Sequence, residues 1–186
     1  NKSGYKSTHN QRLRFPVVLK RPVEEGLVKS LYELEYLNLE NRNLPTKGRA
    51  RTSDFFLFKE NKQLMNLVEQ ELTFLAQKAI GTDVYFHESW FTILSGGGIV
   101  DKHKHQSPLT RIEGFGDEIK NYALVYYLDV GDQSSQEPGY LRVYDPEDLI
   151  LPSKGMVIIF PGDRYHSVRY SGTKDRVMIG ANFWSI

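Results

Sequence analysis

Gly96-Gly97-Gly98-Ile99-Val100-Asp101-Lys102-His103-Lys104-His105 sets two imidazoles two residues apart just after a glycine turn. In an extended strand residues i and i+2 share a face, so both rings point the same way. A later stretch answers it: Phe160-Pro161-Gly162-Asp163-Arg164-Tyr165-His166, followed by Arg176 at the head of the apolar run 177–181. Histidines on two strands and one late arginine form a candidate metal site.

Composition limits what could hold that metal. The 186-residue chain contains no cysteine, which excludes disulfides, thiolate zinc sites, iron–sulfur clusters and a cysteine nucleophile, and leaves His, Asp or Glu as ligands. The length fits one domain, 1–186, able to bury about 70% of the surface its unfolded form exposes. With 24 basic and 23 acidic side chains the net charge is +1, so no global field draws the chain to nucleic acid or to an anionic membrane. No apolar run approaches the roughly 18 residues needed to span a bilayer, and the polar start is unlike a signal peptide; the expectation is a cytoplasmic protein.

Outward from the two stretches, the chain divides into a helical part, 1–83, and a β-rich part, 84–186. Residues 1–14 are polar, and His9 reads as a solvated histidine. Residues 15–20 are β-branched but broken by Pro16, which suits an edge strand or loop. Leu27, Val28, Leu31 and Leu34 recur at helical spacing and predict a helix over 24–37, with Glu24 and Glu25 in its first turn. Residues 38–52 form a basic loop carrying Arg42, Lys47, Arg49 and Arg51. A second helix is expected over 61–80, with Asn61 as N-cap, an apolar face of Leu64, Leu67, Val68, Leu72, Leu75, Ala76 and Ala79, and Gly81 at the C-cap. After it come strands at 84–94, 99–105, 122–130, 139–144, 155–160, 166–170 and 176–184, punctuated by Gly, Pro and Asp. Helices first and many short strands afterwards predict an α+β fold whose larger part is a jelly roll or barrel. His87 reads as a hydrogen-bonded strand histidine, Trp90 and Trp184 as core, and Asp145-Pro146 as the turn that ends a strand.

An oxygen-activating mononuclear iron needs three protein ligands on one face with adjacent positions left open, commonly two histidines and a carboxylate. His103, His105 and His166 can supply three nitrogens. In order, the Trp90-to-Leu94 strand, the glycine turn, His103-Lys104-His105, Leu124-Val125-Tyr126-Tyr127-Leu128, Gly139-to-Pro146, the 155–161 segment, His166 and Arg176 resemble the 2-oxoglutarate- and iron(II)-dependent oxygenases, small members with a His-x-His segment above all. The resemblance covers 84–186 and implies a double-stranded β-helix, cupin-like in shape. It implies iron(II) held by His103, His105 and His166, with His105 standing where many relatives have aspartate. It implies 2-oxoglutarate as co-substrate, its distal carboxylate on Arg176, and a hydroxylation that releases succinate and CO2 from a small-molecule or peptidyl substrate.

The arginine also has a case of its own, because a guanidinium meets a carboxylate through two parallel hydrogen bonds that lysine cannot reproduce. A strand-end arginine can alternatively face solvent or pair with Asp175 or Glu113. Tyr126 and Tyr127 are strand neighbours, so one faces inward, where its hydroxyl can join the carboxylate contact; Tyr127 is preferred. Two features depart from the family pattern. Met178 stands where relatives often have a hydroxyl residue, and with His105 in the carboxylate's place, Asp101 or water is an alternative ligand. Residues 106–121 read as a substrate lid. Two other functions fit the same residues: a three-histidine cupin-like dioxygenase that uses no keto acid, and a metal- or ligand-binding jelly roll without turnover.

Overall fold

The computed structural model describes residues 14–39, 50–60, 62–95, 97–105, 119–133 and 136–186. In chain order the elements are β1 (Val17–Lys20), α1 (Leu27–Leu39), β2 (Ala50–Thr52), α2 (Gln63–Ile80), β3 (Val84–Leu94), β4 (Gly98–His103), β5 (Lys120–Asp129), β6 (Pro138–Val143), β7 (Asp148–Ile150), β8 (Met156–Pro161), β9 (His166–Tyr170) and β10 (Arg176–Ser185), with a 3-10 turn at Leu57–Lys59 before α2. Two antiparallel sheets result: a six-stranded one in the order β1-β8-β5-β10-β3-β2 and a four-stranded one in the order β4-β9-β6-β7. From β3 onward the chain passes from one sheet to the other at every step except β6 to β7, a hairpin within the smaller sheet; this is the double-stranded β-helix that the resemblance implied, with helices on one side.

Alternation along the strands separates two cores. On β10, Val177, Ile179, Ala181 and Phe183 face the helices and join Leu27, Leu31, Leu34, Met65, Val68, Leu72 and Ala76. Met178 faces the other way, into the space between the sheets, with Leu94, Ala123, Tyr127, Leu141, Ile158, Phe160, Val168 and Tyr170. The period of two thus sends every second residue of the central strands into the barrel.

The helices differ in detail from the expected spans. Gly26 adopts φ +90, outside the helical region, and Glu24 is bound to Arg21 instead of sitting in a helical turn, so α1 starts at Leu27. In α2 the N-cap position is Lys62, without a side-chain cap, while Asn61 lies outside the described residues. Gly81 closes α2 in the left-handed conformation at φ 83, as its position implied. The buried stripe is Met65, Val68, Leu72 and Ala76; Leu67 is 42% exposed, on the opposite side of the helix. The N-terminal part also contributes strands: β1 and β2 are the two edges of the larger sheet.

Arg21 locks this layer together. Nearly buried at the end of β1, it donates from Nε to Glu71 on α2 at 2.6 Å and from Nη1 to Glu24 at 3.0 Å and to the Tyr126 hydroxyl on β5 at 2.9 Å. Arg21→Ala is expected to destabilise the protein by about 2–4 kcal/mol, toward the low end for a broken buried pair because both glutamates can turn to water. Urea unfolding of the two proteins measures it, and a difference below about 0.5 kcal/mol, typical of a surface substitution, would contradict the role.

Candidate metal centre

Strand pairing assembles the histidines. β4 and β9 are antiparallel with His103 directly opposite His166, after a register shift that lets Asp101 and Lys102 pass unpaired. His105 lies just beyond β4, where its N–H donates to the carbonyl of Gly162 at 2.8 Å, so the loop that precedes His166 also anchors His105. Ring centroids are 4.1 Å apart for His103 and His166, 4.8 Å for His105 and His166, and 5.2 Å for His103 and His105. One ligand nitrogen from each lies within 4.8 Å of the others.

The partners of the other ring nitrogens decide the tautomers. His103 Nδ1 is 2.7 Å from the carbonyl of Asp101, and His166 Nδ1 is 3.2 Å from that of Arg164. A carbonyl only accepts, so both Nδ1 atoms carry the proton. His105 Nδ1 meets Oδ1 of Asn182 at 2.5 Å, while Nδ2 of Asn182 donates to Oε2 of Glu88 at 2.8 Å. The carboxylate fixes which end of the amide points where, and therefore Nδ1 of His105 is also protonated. Three Nε2 lone pairs are left facing one another. Nε2 of His105 and of His103 are 3.2 Å apart, and neither has a proton to share. Two nitrogens bound to one metal at ~2.1 Å, at a right angle, lie about 3 Å apart, so the His103–His105 pair has the spacing of two adjacent ligands, and the ligand nitrogen of His166 lies within 4.8 Å of both.

Electrostatics agree. Burial, then the neighbouring imidazoles His103 and His105, push His166 down to about 3. Burial also lowers His105, against the opposing effect of its bond to Asn182. Both rings stay neutral, the ligand form. The unfolded chain takes up these protons near the ordinary value of 6.5. The metal-free protein should therefore hold its full stability above pH 6.5 and lose it as the pH falls from there toward 3, with a slope up to about 1.4 kcal/mol per pH unit for each group. Chemical denaturation between pH 7.5 and pH 4.5, with chelator present, measures the slope; His166→Asn should flatten it.

The surroundings are aromatic. Trp90 stands edge-on to His105 at 5.5 Å and Phe160 edge-on to His166 at 4.8 Å. A side chain at Gly180 would run into the Trp90 indole, so the glycine makes room for that ring. Trp90 is thus a wall of the site, not core. Trp184 is half-buried near the end of β10, stacked on His87 at 4.2 Å and on Tyr85 at 5.8 Å, and likewise not core. His87 is no ligand: its Nε2 bonds Asn121 Oδ1 at 2.9 Å. Nδ2 of Asn121 is the buried side-chain donor among the described residues that lacks a partner.

Arg176 is fully buried. Its Nε donates to the carbonyl of Val130 at 3.1 Å, Nη1 to Gly139 at 2.6 Å and Nη2 to Pro138 at 2.7 Å, with the guanidinium 4.6 Å over the Tyr170 ring. Of the alternative partners, Asp175 accepts from Tyr32 and Ser95 instead, and Glu113 lies outside the described residues. Burial lowers its pKa, opposed by Tyr127 and Tyr170. Tyr127 lines the same interior, its hydroxyl pushed up by burial and drawn back by the Arg176 charge. Tyr126 is corrected: it faces the helices, where its hydroxyl is bound by Arg21 and by the carbonyl of Pro22. Met178 is directly opposite Tyr127. Asp101 offers the cluster its carbonyl through His103, and its side chain is exposed. The expected lid falls almost wholly outside the described residues.

The residues missed in the sequence are Glu88, Asn182 and Arg164. Arg164 donates to the carbonyls of Tyr144 at 3.1 Å and Pro146 at 2.5 Å, pinning the loop whose own carbonyl orients His166. No protein-family model matches the sequence, and no curated protein does. Solved structures do match in three dimensions. A 2OG-Fe(II) oxygenase family oxidoreductase from Burkholderia pseudomallei aligns at TM-score 0.52 and 14% identity over 83% of this chain and 79% of its own. The viral collagen prolyl hydroxylase vCPH of Paramecium Bursaria Chlorella virus-1, solved with 2OG, gives 0.61 and 11% over 91% and 96%. The non-heme alpha ketoglutarate dependent carbocyclase SnoK of nogalamycin biosynthesis gives 0.65 and 13% over 91% and 79%. The chain has the 2OG-Fe(II) oxygenase fold. In that fold the histidine cluster lies between the two sheets, with Arg176 and Tyr127 on the same interior side as the ligands.

Proposed function

We propose that the protein is an iron(II)- and 2-oxoglutarate-dependent dioxygenase acting on a small-molecule or peptidyl substrate, with hydroxylation as its reaction. The observation that carries this reading is the convergence of three imidazoles, each with its Nδ1 against an oxygen acceptor and each offering one ligand nitrogen within 4.8 Å of the others. Bound iron(II) would supply oxygen activation coupled to decarboxylation of 2-oxoglutarate to succinate and CO2. His103, His105 and His166 would hold the metal and contribute no charge to it. Three of the five N–H groups of Arg176 are spent on carbonyls, which fixes the fork and leaves one on each of Nη1 and Nη2 for a distal carboxylate. Tyr127 would add a hydroxyl. Trp90 and Phe160 pack edge-on against His105 and His166, and substrate would meet the centre on the side of His87, which is stacked on Trp184 and bonded to Asn121.

The test is 2-oxoglutarate turnover: succinate formed by the iron(II) protein under oxygen, with and without candidate substrates. Succinate above a metal-free control is the expected result. Failure of the anaerobic iron(II) protein to bind 2-oxoglutarate at millimolar concentration would overturn the assignment. One observation favours a second reading, a three-histidine dioxygenase without a keto acid: Arg176 is already held by main-chain carbonyls, and Met178 lines the barrel beside it. In that case oxygen consumption requires iron and substrate and is indifferent to 2-oxoglutarate.

A further inference from the structure

His105 occupies the ligand position in which a carboxylate is common, and the structure supplies a carboxylate one step behind it. β3 carries one extra residue where it pairs with β10: Asn182 is opposite Glu88, but Phe183 is opposite Phe86, so His87 is the bulged residue. A bulge re-aims side chains, and such irregularities cluster beside active sites. Here His87 and Glu88, sequence neighbours that a regular strand would send to opposite faces, both reach the barrel side, His87 against Trp184 and Glu88 against Asn182. Asn182 is 5% exposed and spends both ends of its amide on this line.

We infer that Glu88 and Asn182 are positioning residues of the metal centre: Glu88 holds the Asn182 amide in one orientation, so that its carbonyl oxygen keeps the proton of His105 on Nδ1 and its Nε2 free for the metal. This inference rests on the metal reading above. If the amide were turned over, Nδ2 would face His105, Nδ1 would have to accept, and the proton would move to Nε2, where it blocks ligation. Glu88 prevents that turn because a carboxylate has no proton to offer the Asn182 oxygen. The negative charge of Glu88 is also passed through two hydrogen bonds to the imidazole, raising its basicity in the way outer carboxylates do for histidine ligands. The chain therefore keeps a carboxylate in the centre, moved from the metal to the second position behind it.

The experiment titrates cobalt(II) into the metal-free full-length protein anaerobically, following visible absorption, for the wild type, Asn182→Leu, Glu88→Ala and the double variant Glu88→Gln/Asn182→Asp. Asn182→Leu removes the acceptor at nearly the same volume and should weaken binding about 10- to 100-fold, with a changed cobalt spectrum as one ligand is lost. Glu88→Ala, at a half-buried position that folding tolerates better, should weaken it about tenfold. The double variant reverses the groups while keeping the line, since the introduced glutamine amide donates to the introduced aspartate carboxylate, and that carboxylate accepts from His105. It should return affinity to within about threefold of wild type, which a role in packing alone would not predict. Wild-type affinity and spectrum in both Asn182→Leu and Glu88→Ala, or in Glu88→Ala if the leucine variant does not fold, would overturn the inference. So would a double variant as weak as Asn182→Leu. Absence of cobalt and iron binding in the wild type would instead overturn the metal reading on which it stands.

Discussion

His166→Ala should abolish stoichiometric iron(II) binding while leaving the protein folded. The ring is buried and neutral, directly opposite His103, and its Nε2 is one of three that converge. Removing it leaves two nitrogens from β4 and its continuation, too few to close one face of the metal. The fold should survive because the barrel packs through Leu94, Leu141, Val143, Phe160, Val168 and Tyr170 without a metal. The loss of a buried ring at the strand's start costs some packing, but it also removes a group that resists protonation below pH 6.5, so the variant should gain relative stability in mild acid. His103→Ala should lose the metal likewise. His105→Asp should retain it, since a carboxylate restores the commoner set. Iron content after anaerobic desalting and thermal unfolding of the apo forms check both halves. Iron bound by His103→Ala and His166→Ala with wild-type affinity would exclude the site.

The histidine pair and its distant partner were legible because they depend on short-range rules. Period two puts His103 and His105 on one face, and the turn Pro161 to Arg164 announces the strand that begins at His166. Tyr127 over Tyr126 was a matter of the same alternation once one neighbour's side was known. Glu88 and Asn182 obey no local rule. They meet only because β3 and β10 pair at a particular register and because His87 bulges, and nothing in either segment alone announces that register. β2 and β7, three residues each, are too short to show a pattern, and they exist because a neighbouring strand offers an edge. The tryptophans misled through size: a large apolar ring usually reads as core, yet Trp90 fits the barrel wall only because Gly180 lacks a side chain. Leu67 shows the same limit in the helix, where Met65 takes the buried phase and turns Leu67 outward.

Arg176→Ala should have two separable consequences. The first is structural. Val130, Pro138 and Gly139 each direct a carbonyl at the guanidinium, at 3.1, 2.7 and 2.6 Å, and a buried acceptor left without a donor costs about 1–3 kcal/mol. Water entering the vacated space can satisfy some of them, so a net loss of about 3–5 kcal/mol is expected, enough to lower the unfolding midpoint well below that of wild type. The second concerns the keto acid. If the two remaining N–H groups bind its distal carboxylate, truncation should cost about 2–5 kcal/mol of affinity, which is about 30-fold or more. Arg176→Lys separates the two. A lysine keeps the charge and can satisfy one or two of the carbonyls but has no planar fork, so it should recover part of the stability and little of the 2-oxoglutarate affinity. Gly139→Ala gives an independent approach. Any side chain there would collide with Nη1, and the backbone sits at φ +85, where only glycine is comfortable, so it should displace the guanidinium while leaving its charge in place. Titrating 2-oxoglutarate into the anaerobic iron(II) forms and following the charge-transfer band reads the affinity, and urea unfolding of the apo forms reads the stability. A large stability loss with unchanged 2-oxoglutarate affinity would make Arg176 a purely structural cross-link between β10, β6 and the end of β5, and would put the keto-acid-free dioxygenase first.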